Sequence, residues 1–244
     1  MKRIIYAWEL GGGFGHIHAF IPIAQRLNTE GHEVTFVVRD LLNAECELNR
    51  LGFRSLQAPL WQGRLLGLPD PPANLSEILL HFGFLRNEYL LGLVRAWLEL
   101  FRLLNADLVI GDYSPSALLA ARIAGIPGAT FGTGFCRPAP VAPLPNLRSW
   151  MPVPDERLAG SDLKVLDTTN KVLRDFGLLP LNRVADIFSL DEDFLCTFPE
   201  LDHYPHRPGG EYWGAVYNSE VGIEIDWPGQ ERFRVFCYVK PNFP

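Results

Sequence analysis

The sequence predicts an α/β domain, a Rossmann-like parallel sheet flanked by helices. Three observations carry that expectation. Short apolar runs rich in β-branched residues alternate with helix-patterned segments, and a glycine-rich turn joins the first strand to the first helix. The first three strands are each separated by a helical stretch, an order that requires parallel strands and right-handed crossovers. With 244 residues, 48% of them hydrophobic, the chain can bury a large core as one domain, or one domain and a fragment.

The elements follow in order. "RIIYAW" reads as the first strand, "IPIAQRLNTEG" falls in the first helix with Gly31 at its C-cap, and "HEVTFVV" is the second strand. A helix across "LLNAECELNRLG" leads to a third strand in "FRSLQAP". Residues 59 to 74 form a loop rich in Pro and Gly, after which Asn74 or Ser76 caps one long helix reaching to about Asn105. In it His81, Glu88, Arg95 and Arg102 recur every seven residues with Glu99 beside them, leaving a narrow polar stripe. Such a helix is packed on most sides, or its surplus apolar face lines a hydrophobic ligand cleft or touches lipid. "ADLVIGD" is the next strand, and "SPSALLAARIAG" the next helix, with Ser114 at the N-cap and Pro115 at the first helical position. "IPGATFGTG" is a further strand. Six prolines between residues 138 and 154 require an extended loop, and a helix near 157 to 176 with strands near "FLCTF" and "EYWGAVY" completes the sheet.

Composition narrows the function. A net charge of -6 and a pI near 5.5 provide no basic footprint for a phosphate backbone, so nucleic acid is not an expected partner. No segment of 18 uncharged apolar residues exists to span a bilayer, and the N-terminal apolar run stops at Glu9, short of a signal-peptide core. A cytoplasmic protein is expected. Cys46, Cys136, Cys196 and Cys237 lie far apart and never approach C-x-x-C spacing, so they read as reduced structural thiols, with no metal site expected.

The chemistry concentrates in "GGGFGHIHAF", residues 11 to 20. A glycine loop between strand and helix turns backbone amides toward an anion. The dinucleotide fingerprint G-x-G-x-x-G is not met, because His16 and His18 stand where its third glycine belongs, and no G-K-[ST] follows for a P-loop. What distinguishes the loop is His16, at the carboxyl edge of a parallel sheet, where ligands bind in such folds. A neutral imidazole there can take a proton from a hydroxyl once a partner fixes its tautomer. Asp112, ending the fourth strand at the same edge, is the candidate, its carboxylate left free because Ser114 is the better cap.

"GGGFGHIHAFIPIAQRLNTEGHEVTFVV" followed by "ADLVIGDYSPSALLAARIAGIP" resembles the N-terminal, acceptor-side half of UDP-glycosyltransferase-like enzymes of the GT-B fold. The resemblance implies that His16 is the general base on an acceptor hydroxyl and Asp112 its orienting partner. Gly13, Phe14 and Gly15 in the loop, with Trp61, Phe82, Thr133 and Phe135, are the candidate acceptor contacts. The loop is also similar to the G-G-x-G-G-H segment of lipid-linked acetylglucosamine transferases, which adds a lipid-phosphate acceptor to the expected partners, a small-molecule or lipid-like hydroxyl acceptor. The implied layout is an acceptor-binding domain over 1–216, a linker over 217–232 and the first strand of a truncated donor-binding domain over 233–244, the rest of that domain being absent. The implied reaction is inverting transfer from a nucleotide-sugar co-substrate, with no resident cofactor, and the chain is expected to be inactive until a donor-binding chain is supplied. Two alternatives stand beside it: a non-catalytic acceptor-binding or scaffold subunit of a split transferase, and an unrelated Rossmann-like nucleotide-binding module.

Overall fold

A computed structural model describes residues 1–63, 65–204 and 207–216, with positions 226, 227, 233, 235 and 237. The linker and final strand expected over 217–244 fall almost wholly outside the described residues. The β-rich runs become β1 (Arg3–Trp8), β2 (Glu33–Val38), β3 (Arg54–Gln57), β4 (Leu108–Asp112), β5 (Gly128–Gly132) and β6 (Glu192–Leu195). All five pairings are parallel, and the strand order is β3-β2-β1-β4-β5-β6. The chain winds outward in one direction from β1 and in the other from β4. A crevice therefore opens between the carboxyl ends of these two strands, the switch point at which ligands bind in doubly wound sheets. Trp8 pairs with Asp112 in register, so the last residues of β1 and β4 meet at that crevice.

Each face of the sheet is covered by the helices its crossovers dictate. On one face a single turn, α1 (Gly15–His18), then α2 (Ile21–Thr29) and α3 (Leu41–Arg50), pack Phe20, Ile21, Ala24, Ala44 and Leu48 onto Ile4, Tyr6, Phe36 and Val38. Burying an aromatic or large aliphatic side chain of this kind contributes about 1.5–3 kcal/mol. Asp40 starts α3 by accepting from the Asn43 amide. On the other face lie α4 (Leu75–Leu79), α5 (Asn87–Leu104), α6 (Pro115–Ala124) and α7 (Asp155–Asp175), whose Trp97, Leu118 and Val165 join Ile5, Ala7 and Val109 in the larger core. Asp155 and Glu156 sit in the first turn of α7, where the helix dipole favours negative charge.

Three expectations change. The single helix expected from about residue 74 to 105 is two helices. Asn74 does cap the first, accepting from the Glu77 amide, but the helix widens over Leu80–Phe84 and breaks at Phe82 and Gly83 before α5 begins. Gly83 has φ 97, a conformation glycine adopts without the penalty of a β-carbon. The seven-residue stripe does not register the break, because His81 and Glu88 stand on either side of it. Ser114 occupies the N-cap position of α6 but does not cap it, for a reason found at the site below. Finally, "EYWGAVY" makes no strand among its described residues, only an isolated bridge between Tyr212 and Leu195, because β6 ends there after four residues.

Candidate active site

The site begins where β1 ends. Glu9, the residue that closes the first apolar run, is buried, and its carboxylate collects the start of α6. One oxygen accepts from Ser114 Oγ at 2.7 Å and the Ala117 amide at 2.6 Å. The other accepts from Ser116 Oγ at 2.8 Å and the Ser116 amide at 3.3 Å. A carboxylate from β1 thus does the capping that Ser114 was expected to do, and Ser114 spends its hydroxyl on that carboxylate. Burial pushes the Glu9 carboxyl up to about 7, against the opposing effect of the four donors. A second tie runs in parallel, from the Leu10 amide to the Tyr113 carbonyl at 3.0 Å. Tyr113 has φ 49, an uncommon conformation for a bulky residue and one that needs such a tie to hold it. The turns leaving β1 and β4 are therefore clamped to one another.

Within this clamp the glycine loop brings His16 back over the crevice. Gly11, at φ 82, leaves no room for a side chain, since a β-carbon there would lie 2.8 Å from His16 Nε2. The imidazole stacks on Trp8, with centroids 5.0 Å apart and planes 21° from parallel. Its Nδ1 lies 2.8 Å from Asp112 Oδ2, and because a carboxylate only accepts, Nδ1 carries the proton. Nε2 is left as the basic nitrogen, without a hydrogen bond among the described residues. Asp112 is only 3% exposed. The same Oδ2 accepts from Tyr6 Oη at 2.9 Å, and Tyr6 Oη also contacts the His16 carbonyl oxygen. Asp112 Oδ1 is buried and has no hydrogen-bond partner among the described residues.

The pair stands at one end of a cavity of about 540 Å³ whose walls include Ala19, Tyr113, Phe131 and Phe135. Of the residues singled out from sequence, His16, Asp112, Gly15, Thr133 and Phe135 come together around it. Gly13 and Phe14 do not line it; Phe14 is half-exposed and stacks on His18 at 5.7 Å. Trp61 and Phe82 lie elsewhere, Trp61 stacked on Tyr89 at 4.1 Å and Phe82 beneath the Arg39 guanidinium. The rest of the wall is built by residues after β5 and by Ala215 and Val216, with none of the described residues of 59 to 104 among them.

Sequence reasoning missed Tyr6, Glu9, Tyr113 and Cys136. Glu9 had a signal, a carboxylate directly after an apolar run, whereas Tyr6 sits inside that run and reads as core. Cys136, in the cavity wall, brings a third potential ligand atom within 4.8 Å of those of His16 and Asp112. Nδ1 and Oδ2 are already engaged with each other, and burial together with the Asp112 charge pushes the Cys136 thiol well above its usual range. No helix of the described residues is long and apolar enough to cross a membrane.

Fold and site together define a Rossmann-like α/β domain with a histidine–aspartate pair at its switch point. Among solved structures this arrangement of elements is found in glycosyltransferases of the GT-B fold. The chain aligns over 94% of its length with 55% of the kitacinnamycin glycotransferase, at a TM-score of 0.58 and 14% identity. It aligns over 95% of its length with 59% of SsfS6, a glycosyltransferase of Streptomyces sp. SF2575, at 0.55 and 17%. With the spinosyn rhamnosyltransferase SpnG in complex with thymidine diphosphate, 87% of this chain matches 49% of that one, at 0.51 and 15%. The chain spans about half the length of these enzymes. At such identities the likeness is one of fold. No family profile and no curated protein matches the sequence.

Proposed function

We propose that the chain is the acceptor-binding half of an inverting, nucleotide-sugar-dependent glycosyltransferase, with His16 as general base. The observation that carries this reading is the 2.8 Å contact between His16 Nδ1 and Asp112, which engages Nδ1 and leaves Nε2 without a hydrogen bond among the described residues, beside an apolar cavity. An acceptor hydroxyl placed there gives its proton to Nε2 as its oxygen attacks the anomeric carbon from the face opposite the leaving group. The bond from that carbon to the nucleoside diphosphate breaks, and the imidazolium is held by Asp112 until the proton passes to water. The cavity wall of Phe131, Phe135 and Tyr113 favours an aromatic or lipid-like alcohol over a small polar sugar.

The donor belongs to a second domain, in this reading, on further polypeptide of the same or a separate chain. Within the described residues the long helix nearest the site, α6, already has its N-terminus filled by Glu9, so no diphosphate is cradled there. The thymidine diphosphate of the SpnG structure makes TDP-sugars the donors to try first. The test is transfer to a naphthol acceptor with a donor-binding domain supplied. His16→Gln is expected to lower the rate by ~10²–10⁴-fold with the circular dichroism spectrum unchanged. A variant as fast as the unmodified chain removes His16 from the base role.

A further inference from the structure

We propose that Tyr6 is a positioning residue of the His16–Asp112 pair, its phenol setting how strongly the carboxylate draws the imidazole proton. The proposal rests on the reading of His16 as base. Tyr6 lies in the middle of β1, with no exposed surface, its ring stacked on Phe20 at 4.4 Å and 14° from parallel. A phenylalanine would fill that space equally well. The hydroxyl is therefore the informative atom, and both of its neighbours belong to the pair: Asp112 Oδ2, to which it donates at 2.9 Å, and the carbonyl oxygen of His16 itself.

Asp112 Oδ2 thus accepts two hydrogen bonds while Oδ1, equally buried, accepts none among the described residues. Each bond donated to a carboxylate draws its negative charge away from other partners, so the phenol weakens the hold of Asp112 on the imidazolium. Burial and the Asp112 charge keep the phenol protonated far above the usual tyrosine range, so it remains a donor throughout. The other titratable groups facing the trio are Tyr113 after β4, Cys136 after β5 and Cys196 after β6. Burial raises all three, and the charges acting on them are those of Asp112, on Cys136 and Cys196, and Asp193, on Cys196. The one phenol hydrogen is shared between Asp112 Oδ2 and the His16 carbonyl oxygen, a three-centre contact that gathers strand, loop and carboxylate around a single hydroxyl.

The experiment follows the His16 imidazole by NMR across pH in the full chain, which reads the pair without requiring transfer. Tyr6→Phe keeps the ring and its stack, and is expected to move the titration midpoint upward by roughly 0.5 pH unit, because the carboxylate then acts on the imidazolium alone. Asp112→Asn is expected to move it downward by about 1. Phe20→Leu loosens the same ring stack but leaves the hydroxyl, and is expected to lower the melting temperature with the midpoint in place. A midpoint unmoved or lowered in Y6F, or moved as far in F20L, overturns the assignment and leaves the pair intact. If D112N leaves the midpoint where it was, the pair itself is not coupled and the Tyr6 role falls with it.

Discussion

Glu9 shows what a single residue does here. Its carboxylate is buried and capped on all sides by donors from α6. Burial raises its pKa from 4.5 to about 7, so between these values the folded chain holds a proton that the unfolded chain has lost. The stabilisation tied to that proton is complete below about 4.5 and is lost as pH rises through about 7. A gap of about 2.5 at 1.36 kcal/mol per pH unit is about 3 kcal/mol. Glu9→Gln is expected to flatten this part of the stability profile, read as urea midpoints from about pH 5 to about pH 8. An unchanged slope in E9Q would assign it to another group. His16 and Asp112 were legible in the sequence because one follows a glycine loop of recognisable composition and the other ends a strand at the same sheet edge. Tyr6 was not, since its partner Asp112 lies 106 residues away and nothing local separates a core tyrosine from one that holds a carboxylate.

At the scale of elements, the sheet was readable because strand and helix periods are local properties of the chain, and each crossover then follows from handedness. What periodicity could not read was a break that preserves it, as between α4 and α5. Gly83 makes that break, and a β-carbon there would meet Leu93 Cδ1 at 2.9 Å as well as the φ of 97. The leucine tip can shift, so the backbone dominates the penalty. Gly83→Ala is expected to destabilise the fold by roughly 1–2 kcal/mol, a fall of about 2–8 °C in Tm by calorimetric scan. A Tm equal to or above that of the unmodified chain would mean that α4 and α5 join without strain. The break also explains the fate of Trp61 and Phe82. It turns this region onto itself, with Trp61 Cβ near Gly83 and its ring on Tyr89, and away from the cavity that Trp61 and Phe82 were expected to line.

For the whole molecule, the sheet order places one switch point between β1 and β4, and the His16–Asp112 pair stands at that crevice. Among the described residues at this crevice, the start of α6 is filled by Glu9 and α1 is a single turn. The chain also spans about half the length of the glycosyltransferases that share its fold. This division between acceptor and donor is the central claim, and calorimetric titration of residues 1–244 with UDP- and TDP-sugars tests it most directly. The expected result is no saturable heat at donor concentrations up to about 1 mM, equivalent to binding weaker than about −4 kcal/mol. Affinity on the order of micromolar, about −8 kcal/mol, would contradict the account and show a complete nucleotide-binding module in this chain.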